Sequence, residues 1–134
     1  MVQYKTGLGN AAAFIVSGRP WCRAEIDCEN TAVRVAFPSV TRWIQIFNQD
    51  DAAGNHLKVA FSENGLAGDN YFMLEDYVGT SEAGHNTVQL AVKVTEIWIE
   101  GSDNVEVVAG LTNIDLNEIN SGGIINWSGS VGVG

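Results

Sequence analysis

The chain has 134 residues, a formal net charge of −9 and 46% hydrophobic residues, so a single domain can bury a core without disulfides or a metal ion. Charged residues make up 17% of the chain, and glycine occurs 15 times, a composition typical of turn-rich β-domains. Two cysteines exclude a disulfide framework, the lack of a long apolar run excludes a membrane-spanning helix, and the scarcity of basic residues argues against direct nucleic-acid binding.

Apolar residues alternate with polar ones in short runs, which predicts strands separated by turns rich in Gly, Asn, Asp and Ser. In chain order, the predicted strands cover residues 12–17, 22–28, 33–37, 42–47, 57–61, 71–74, 88–94, 97–99 and 105–109. Turns are predicted at residues 18–20, 29–30, 64–65, 68–70 and 101–104, polar loops at 48–55 and 75–86, and one helical turn at 114–119.

Two of these runs carry further information. Residues 42–47 are apolar on both faces, so this strand is predicted to be central or covered from outside. The alternation changes phase near Thr95 and Glu96, which either a β-bulge or a crossing from one sheet to the other would explain.

This number of short strands predicts an all-β protein with an antiparallel β-sandwich, in the form of an eight-stranded single jelly roll. An immunoglobulin-like sandwich of seven strands is the alternative, and the missing Cys–Trp–Cys spacing makes it less favoured. The sandwich domain is predicted over residues 12–120, between an N-terminal arm at 1–11 and a Gly/Ser-rich C-terminal arm at 121–134. The N-terminus lacks the pattern of a signal peptide, so we expect synthesis in a cytosol.

Charge is distributed unevenly along the chain. Residues 1–49 carry five basic against three acidic side chains, whereas residues 50–134 carry two against thirteen. The acidic region is either a solvated face that maintains solubility or a surface that meets a basic surface of a neighbour.

The residues that usually carry chemistry form no strong active-site motif. His56 and His85 lie in separate loops, which favours solvent-exposed histidines over a metal site. Cys22 and Cys28 would be roughly 20 Å apart on an extended strand, beyond disulfide range, so free thiols are favoured over a tight turn that joins them. We therefore expect no enzymatic activity, no catalytic residue, no metal site and no cofactor.

Three weaker patterns are better explained as a flexible arm or as solvated turns than as sites. They are a G-x-G-x-x-A match at residues 7–12, a possible calcium loop at Asp50, Asp51 and Asn55, and a possible glycosidase carboxylate pair among Glu75, Asp76 and Glu82.

The four tryptophans divide into two groups. Trp43 and Trp98 lie within predicted strands, and we expect them in the core. Trp21 follows Pro20 at the edge of the predicted domain, and Trp127 lies in the Gly/Ser-rich arm. Because tryptophan is enriched at interface hot spots, the latter two are candidate anchors for assembly.

Four blocks of sequence resemble a known class of protein. Residues 37–48 (FPSVTRWIQIFN), 57–65 (LKVAFSENG), 107–114 (VVAGLTNI) and 128–134 (SGSVGVG) are similar to small single-jelly-roll virion proteins, which are vertex (penton) or decoration subunits of DNA viruses and phages. The resemblance covers most of residues 10–134. It implies an icosahedral shell, homo-oligomeric packing and no catalysis.

The expected function is therefore that of a virion structural protein, a penton or decoration (cement) subunit of the capsid whose partners are other capsid proteins and copies of itself. The candidate assembly-interface residues are Tyr4, Leu8, Trp21, Ile124, Ile125 and Trp127. The alternative is a carbohydrate-binding module or lectin-like domain that binds a glycan through exposed aromatic residues and loop Asp and Asn side chains. A small enzyme on a jelly-roll frame is a weaker third hypothesis.

Overall fold

The computed structural model describes residues 19–76, 85–115 and 127–134. These ranges contain β1 (Arg19–Ile26), β2 (Val33–Ala36), β3 (Thr41–Asn48), β4 (Leu57–Ala60), α1 (Glu63–Ala67), β5 (Tyr71–Leu74), β6 (Glu96–Glu100) and β7 (Val105–Leu111). The strands form two antiparallel sheets, sheet A in the order β1-β7-β3 and sheet B in the order β2-β6-β4-β5. The prediction of an all-β protein is confirmed. No helix within the described ranges is long and apolar enough to cross a membrane.

Alternate residues of the strands point into one core shared by both sheets. Val107 and Ala109 of β7, Ile44 of β3, and Ile97 and Ile99 of β6 are completely buried and belong to the same hydrophobic cluster. Their spacing of two residues is the period at which a strand presents one face. The alternation in the sequence therefore determines which side of each sheet is internal.

Residues 85–94 run antiparallel along the outer edge of β3. Backbone hydrogen bonds join the amide of Thr87 to the carbonyl of Ile46 (2.9 Å) and link Ile44 and Leu90 in both directions (2.9 and 2.8 Å). Farther along, the Thr41 amide donates to the carbonyl of Val94 (3.0 Å). This segment thus occupies the fourth position of sheet A, beside β3.

The prediction of a regular strand at residues 88–94 is wrong, and two threonine hydroxyls explain why. The Thr41 hydroxyl donates to the Val92 carbonyl (2.7 Å) and accepts from the Val94 amide (3.0 Å). The Thr87 hydroxyl accepts from the Ile46 amide (3.0 Å). These side chains replace backbone partners in the ladder, so the segment makes isolated bridges instead of a continuous strand.

The phase change near Thr95 marks a crossing between sheets. Val94 is bonded to β3 of sheet A, whereas the Thr95 carbonyl accepts from the Phe37 amide (2.9 Å) and Glu96 pairs with Ala36 of sheet B. Of the two explanations left open by the sequence, the crossing is confirmed.

The predicted turn at residues 18–20 is wrong for Arg19 and Pro20, which belong to β1. Pro20 lies opposite Gly110 of β7. A proline can occupy this strand because β1 is at the edge of sheet A, where the missing N–H can face away from the neighbouring strand. The register of β1 shifts between Arg23 and Ile26, and Glu25 adopts a positive φ of 56° within this bulge.

The predicted Asn64–Gly65 turn is also wrong, because these residues form part of α1. The Ser62 hydroxyl accepts from the Gly65 amide (2.9 Å) and caps the helix. Glu63 in the first turn adds a favourable charge at the helix N-terminus. A serine cap therefore outweighs the turn preference of Asn-Gly.

The predicted strands at 33–37, 42–47, 57–61, 71–74, 97–99 and 105–109 all match observed strands to within two residues. The predicted strand at 12–17, the N-terminal arm at 1–11, residues 116–119 of the predicted helical turn and residues 121–126 of the C-terminal arm lie outside the described residues.

Candidate assembly surface

The side of sheet A that points away from the core is a largely apolar surface, here called the outer face of sheet A. Strand register arranges it in three rows across the sheet. The rows are Pro20–Gly110–Trp43, Cys22–Val108–Gln45, and Glu106–Phe47. Trp43, Phe47 and Val108 are only half-buried, and Pro20 and Cys22 are exposed.

Trp43 lies across the outer face because the residue beneath it has no side chain. A Cβ built on Gly110 would lie only 2.3 Å from Nε1 and 2.7 Å from Cε2 of Trp43. Gly110 thus permits the indole to lie directly on the sheet. The expectation that Trp43 belongs to the core is wrong: its neighbours Ile44 and Ile46 face inward, and Trp43 is on the opposite side.

One end of this face is acidic. Beyond the ends of β1 and β3 lies an open cavity of about 360 Å³, lined by Glu25, Gln49, Asp51, Asp103 and Asn104. Burial and the neighbouring charge of Asp50 raise the pKa of Asp103 above its ordinary value. The three carboxylates among its lining residues make the cavity a polar, acidic feature.

A buried polar network holds this acidic end together. The Asp50 carboxylate accepts from the backbone amides of Ala52 (2.8 Å) and Asp103 (3.0 Å) and from the side-chain amide of Asn55 (3.0 Å). Burial alone would raise the pKa of Asp50, but these hydrogen bonds outweigh it and lower the pKa below its ordinary value. Asp50 and Asn55, considered above as calcium ligands, are instead bonded to one another and to the backbone.

Asn48 is the centre of the same network. Its side-chain amide donates to the backbone carbonyls of Asn55 (3.2 Å), Leu74 (3.4 Å) and Glu75 (2.9 Å). Its oxygen accepts from the Asp50 amide (3.2 Å) and the Ser102 hydroxyl (2.7 Å). Asn48 is completely buried, so this one side chain links four segments of the chain.

The opposite end of the face is basic. The register of β3 shifts between Thr41 and Trp43, so Arg42 is the additional residue of a bulge and is exposed. Arg42 and Trp43 line an open cavity of about 260 Å³ with Gln89 and Ala91. The guanidinium of Arg19 at the start of β1 donates to the Ser39 hydroxyl (3.4 Å).

The edges of the two sheets are poorly suited to pairing with another strand. In sheet A, β1 contains Pro20 and the bulge at Glu25, and the edge of β3 is covered by residues 85–94. The edge strands of sheet B, β2 and β5, have four residues each. Prolines, bulges, short strands and coverage are the devices that prevent edge-to-edge aggregation.

The described part of the C-terminal arm, residues 127–134, packs on the same chain. The Trp127 indole donates to the Lys93 carbonyl (2.9 Å), and the Ser62 hydroxyl donates to the Val133 carbonyl (2.7 Å). An apolar groove of about 320 Å³ runs between this segment, Phe61 and residues 91–94.

The structure places two of the six candidate interface residues. Trp21 is half-buried and packs edge-to-face on Phe37 with ring centroids 5.0 Å apart, and Trp127 packs against the core of its own chain. Tyr4, Leu8, Ile124 and Ile125 lie outside the described residues. The residues of the outer face of sheet A were missed as a site, although the two-sided apolar pattern of residues 42–47 was its signal.

The outer face of sheet B carries a different arrangement. Strand register places Arg34, Trp98, Ala60 and Tyr71 in one row across its four strands. The expectation that Trp98 is a core residue is wrong, since it is half-buried on this face and its indole donates to Glu96. Glu96 also accepts from the Arg34 guanidinium (2.9 Å), and the Lys58 ammonium lies 4.8 Å from the centre of the Tyr71 ring.

The remaining reactive side chains are dispersed. Cys22 and Cys28 are both free thiols, as favoured from the sequence, with Cys22 exposed and Cys28 buried. Burial raises the pKa of the Cys28 thiol to about 11. Nδ1 of His56 lies 3.9 Å from the carboxylate of Asp76. Within residues 19–76, 85–115 and 127–134, no group of three or more His, Cys, Asp or Glu residues could hold a metal ion.

In comparisons with known proteins, no protein-family model, curated protein or solved structure matches this chain.

Proposed function

We propose that this chain is an eight-stranded single jelly roll that serves as a structural subunit of a virion capsid, at a vertex or as a decoration subunit. Residues 85–94 act as the sixth strand of this fold, between β5 and β6. Sheet A then holds strands 1, 8, 3 and 6, and sheet B holds strands 2, 7, 4 and 5. This order corresponds to two Greek keys wound together, which supports the jelly roll over a seven-stranded immunoglobulin-like sandwich.

A fold alone does not assign a function, so the proposal depends on how the surface is built. The observation that carries it is a contrast between two parts of the surface. The sheet edges are poorly suited to strand pairing, whereas the outer face of sheet A is largely apolar and presents Trp43, Phe47 and Val108. A subunit of a closed shell has to associate through defined patches while it avoids open-ended strand pairing. The combination supports association with other capsid proteins and with copies of the same chain, with no catalytic step.

The test is the recovery of the chain from particles. Material from the natural source is separated on a density gradient after nuclease treatment, and the chain is quantified by mass spectrometry in each fraction. We expect it in the nuclease-resistant particle fraction, at a fixed ratio to the major shell protein and resistant to a high-salt wash. Recovery only at the top of the gradient, as free protein, would contradict the proposal.

Binding of a glycan is a second candidate function, favoured by the outer face of sheet B. Trp98 and Tyr71 flank Ala60 in one row, and strands spaced by about 4.8 Å place the two aromatic residues roughly 10 Å apart. Ala60 itself is buried, so a sugar ring would stack on the half-exposed rings of Trp98 and Tyr71. The polar groups of Lys58 and Glu96 lie beside it.

A glycan array separates the two functions. Under the second candidate, the unaltered chain binds a defined subset of glycans, and the W98A and Y71A variants each lose this binding while M73A, on the same face, retains it. An array without binding, together with recovery of the chain from particles, would eliminate the glycan function.

A further inference from the structure

We propose that two copies of this chain pack against each other through the outer face of sheet A, about a two-fold axis that runs across the strands at the level of the Cys22–Val108–Gln45 row. This inference rests on the proposed function, because it specifies one of the contacts between copies. The occupant of the face is therefore a second copy of the same chain in the reverse strand direction.

The charge at the two ends of the face determines the direction of the axis. Arg42 lies at one end of β3, and the acidic cavity with Asp51 and Asp103 lies beyond the other end. An axis along the strands would bring like ends together. An axis across the strands brings the basic end of each copy onto the acidic end of the other, so the same favourable contact occurs twice.

The apolar residues fit this symmetry. Reversal of β3 about Gln45 brings the row of Trp43 in one copy opposite the row of the partner subunit's Phe47, and the same contact forms again at the other side of the axis. The two rows are equally distant from the Gln45 row. The contact buries apolar area on both copies, and Gly110 keeps the indole low enough for the sheets to approach.

The sheet edges disfavour strand pairing, so a symmetric contact has to use a sheet face, and the outer face of sheet A carries opposite charges at its two ends. Its area indicates a weak interaction. The face is four strand positions wide (β1, β7, β3 and residues 85–94) and about seven residues long. With strands spaced by about 4.8 Å, its area is roughly 400 Å² per copy. This is about half of the area that a standard stable interface buries on each partner. We therefore expect a dimer that forms at tens to hundreds of micromolar and that the many contacts of a shell would reinforce.

Cys22 provides a direct probe of the arrangement. Because it lies in the row on the axis and β1 of one copy faces β1 of the other, the two Cys22 residues approach each other across the interface. Packed sheets are separated by about 10 Å, too far for a disulfide but within the span of a short bis-maleimide. Cys28 does not compete, because it is buried and its pKa is raised to about 11.

The experiment treats the full chain with a bis-maleimide of about 8–10 Å span, a length set by the packing distance of two sheets, and measures the dimer on a denaturing gel. We expect a cross-linked dimer above about 50 µM, and its loss in C22S but not in C28S. V108E, at the centre of the face, should reduce cross-linking and raise the dissociation constant measured by sedimentation equilibrium at least 10-fold. V131E is the matched control, since Val131 is completely exposed on the C-terminal segment, and should leave both values unchanged.

Charge reversal tests the direction of the axis. R42E and D51R should each weaken dimerisation about 5- to 10-fold, and the double variant R42E/D51R should restore it to within about 2-fold of the unaltered chain. Both side chains are exposed, so circular dichroism should show an unchanged fold. Two additive losses without restoration would overturn the antiparallel arrangement.

Other outcomes overturn the whole inference. If the chain stays monomeric at a concentration of 1 mM, the proposed dimer does not exist. If V108E lowers the stability of the monomer but leaves dimerisation unchanged, a segment of the same chain covers the face, and the inference fails. These results are independent of the proposed function. A monomer in solution that is recovered from particles refutes this inference alone, whereas a cross-linked dimer that is absent from particles refutes the proposed function.

Discussion

Replacement of Asn48 by alanine tests the buried network that shapes the acidic end of the outer face of sheet A. The variant removes three donated and two accepted hydrogen bonds in a completely buried position. A buried polar group that loses its partner costs about 1–3 kcal/mol, and the removed atoms leave a small cavity. Since Ser102 and Asp50 are the groups that lose their acceptor, we expect N48A to lower the free energy of unfolding by about 3 kcal/mol.

The assay is equilibrium unfolding in urea with a thermal melt. For a domain of this length the unfolding entropy converts 3 kcal/mol into a decrease in Tm of about 10 °C. The matched control is N70A, because Asn70 is exposed, and exposed substitutions usually change stability by less than about 0.5 kcal/mol. If N48A and N70A have equal effects, the network does not hold the loops together, and the account of the acidic end is wrong.

Three further predictions concern acid, the helix cap and the thiols. The pKa of Asp50 in the folded chain is lower than its ordinary value of 3.8, so the ionised carboxylate stabilises the fold at pH values above 3.8. This stability is lost as the pH falls through the folded-state pKa, and D50N should therefore make the loss of stability in acid less steep. S62A should lower the free energy of unfolding by about 1 kcal/mol and speed hydrogen exchange at the Gly65 amide, which the Ser62 hydroxyl caps. At pH 8, a thiol reagent should modify Cys22 within minutes and Cys28 only on unfolding, because burial raises the pKa of Cys28 to about 11.

Equal acid sensitivity of D50N and the unaltered chain would show that Asp50 is not held ionised by its hydrogen bonds. Unchanged exchange at the Gly65 amide in S62A would remove the Ser62 cap as the origin of α1. Rapid modification of two thiols in the folded chain would contradict the burial of Cys28.

Much of the fold could be predicted from the period of the apolar residues. Strands that pack one face on the core, such as β2 and β7, follow the two-residue alternation closely. The predictions failed where side chains compete with the backbone for hydrogen bonds. Thr41 and Thr87 disrupt the ladder at residues 85–94, and Ser62 starts a helix at an Asn-Gly pair that favours a turn.

The candidate site was less predictable, because an interface depends on which residues share a row. The two-sided apolar pattern of β3 indicated a covered strand, but the pattern did not reveal that Trp43 lies on Gly110, 67 positions later. Trp21 was chosen for its position in the sequence, and the structure places it against Phe37. The link between the Asp50 and Asp103 loops is likewise set by tertiary contacts and leaves no local signal in either loop.

Electron microscopy of the particle fraction would show directly whether this chain is part of a shell. We expect a β-sandwich density of this size at regularly repeated positions of an icosahedral shell, with each of the two sheets fitting the density as a rigid body. A shell whose density is fully explained by other proteins, with this chain recovered only as a free monomer, would show that it is not a capsid subunit.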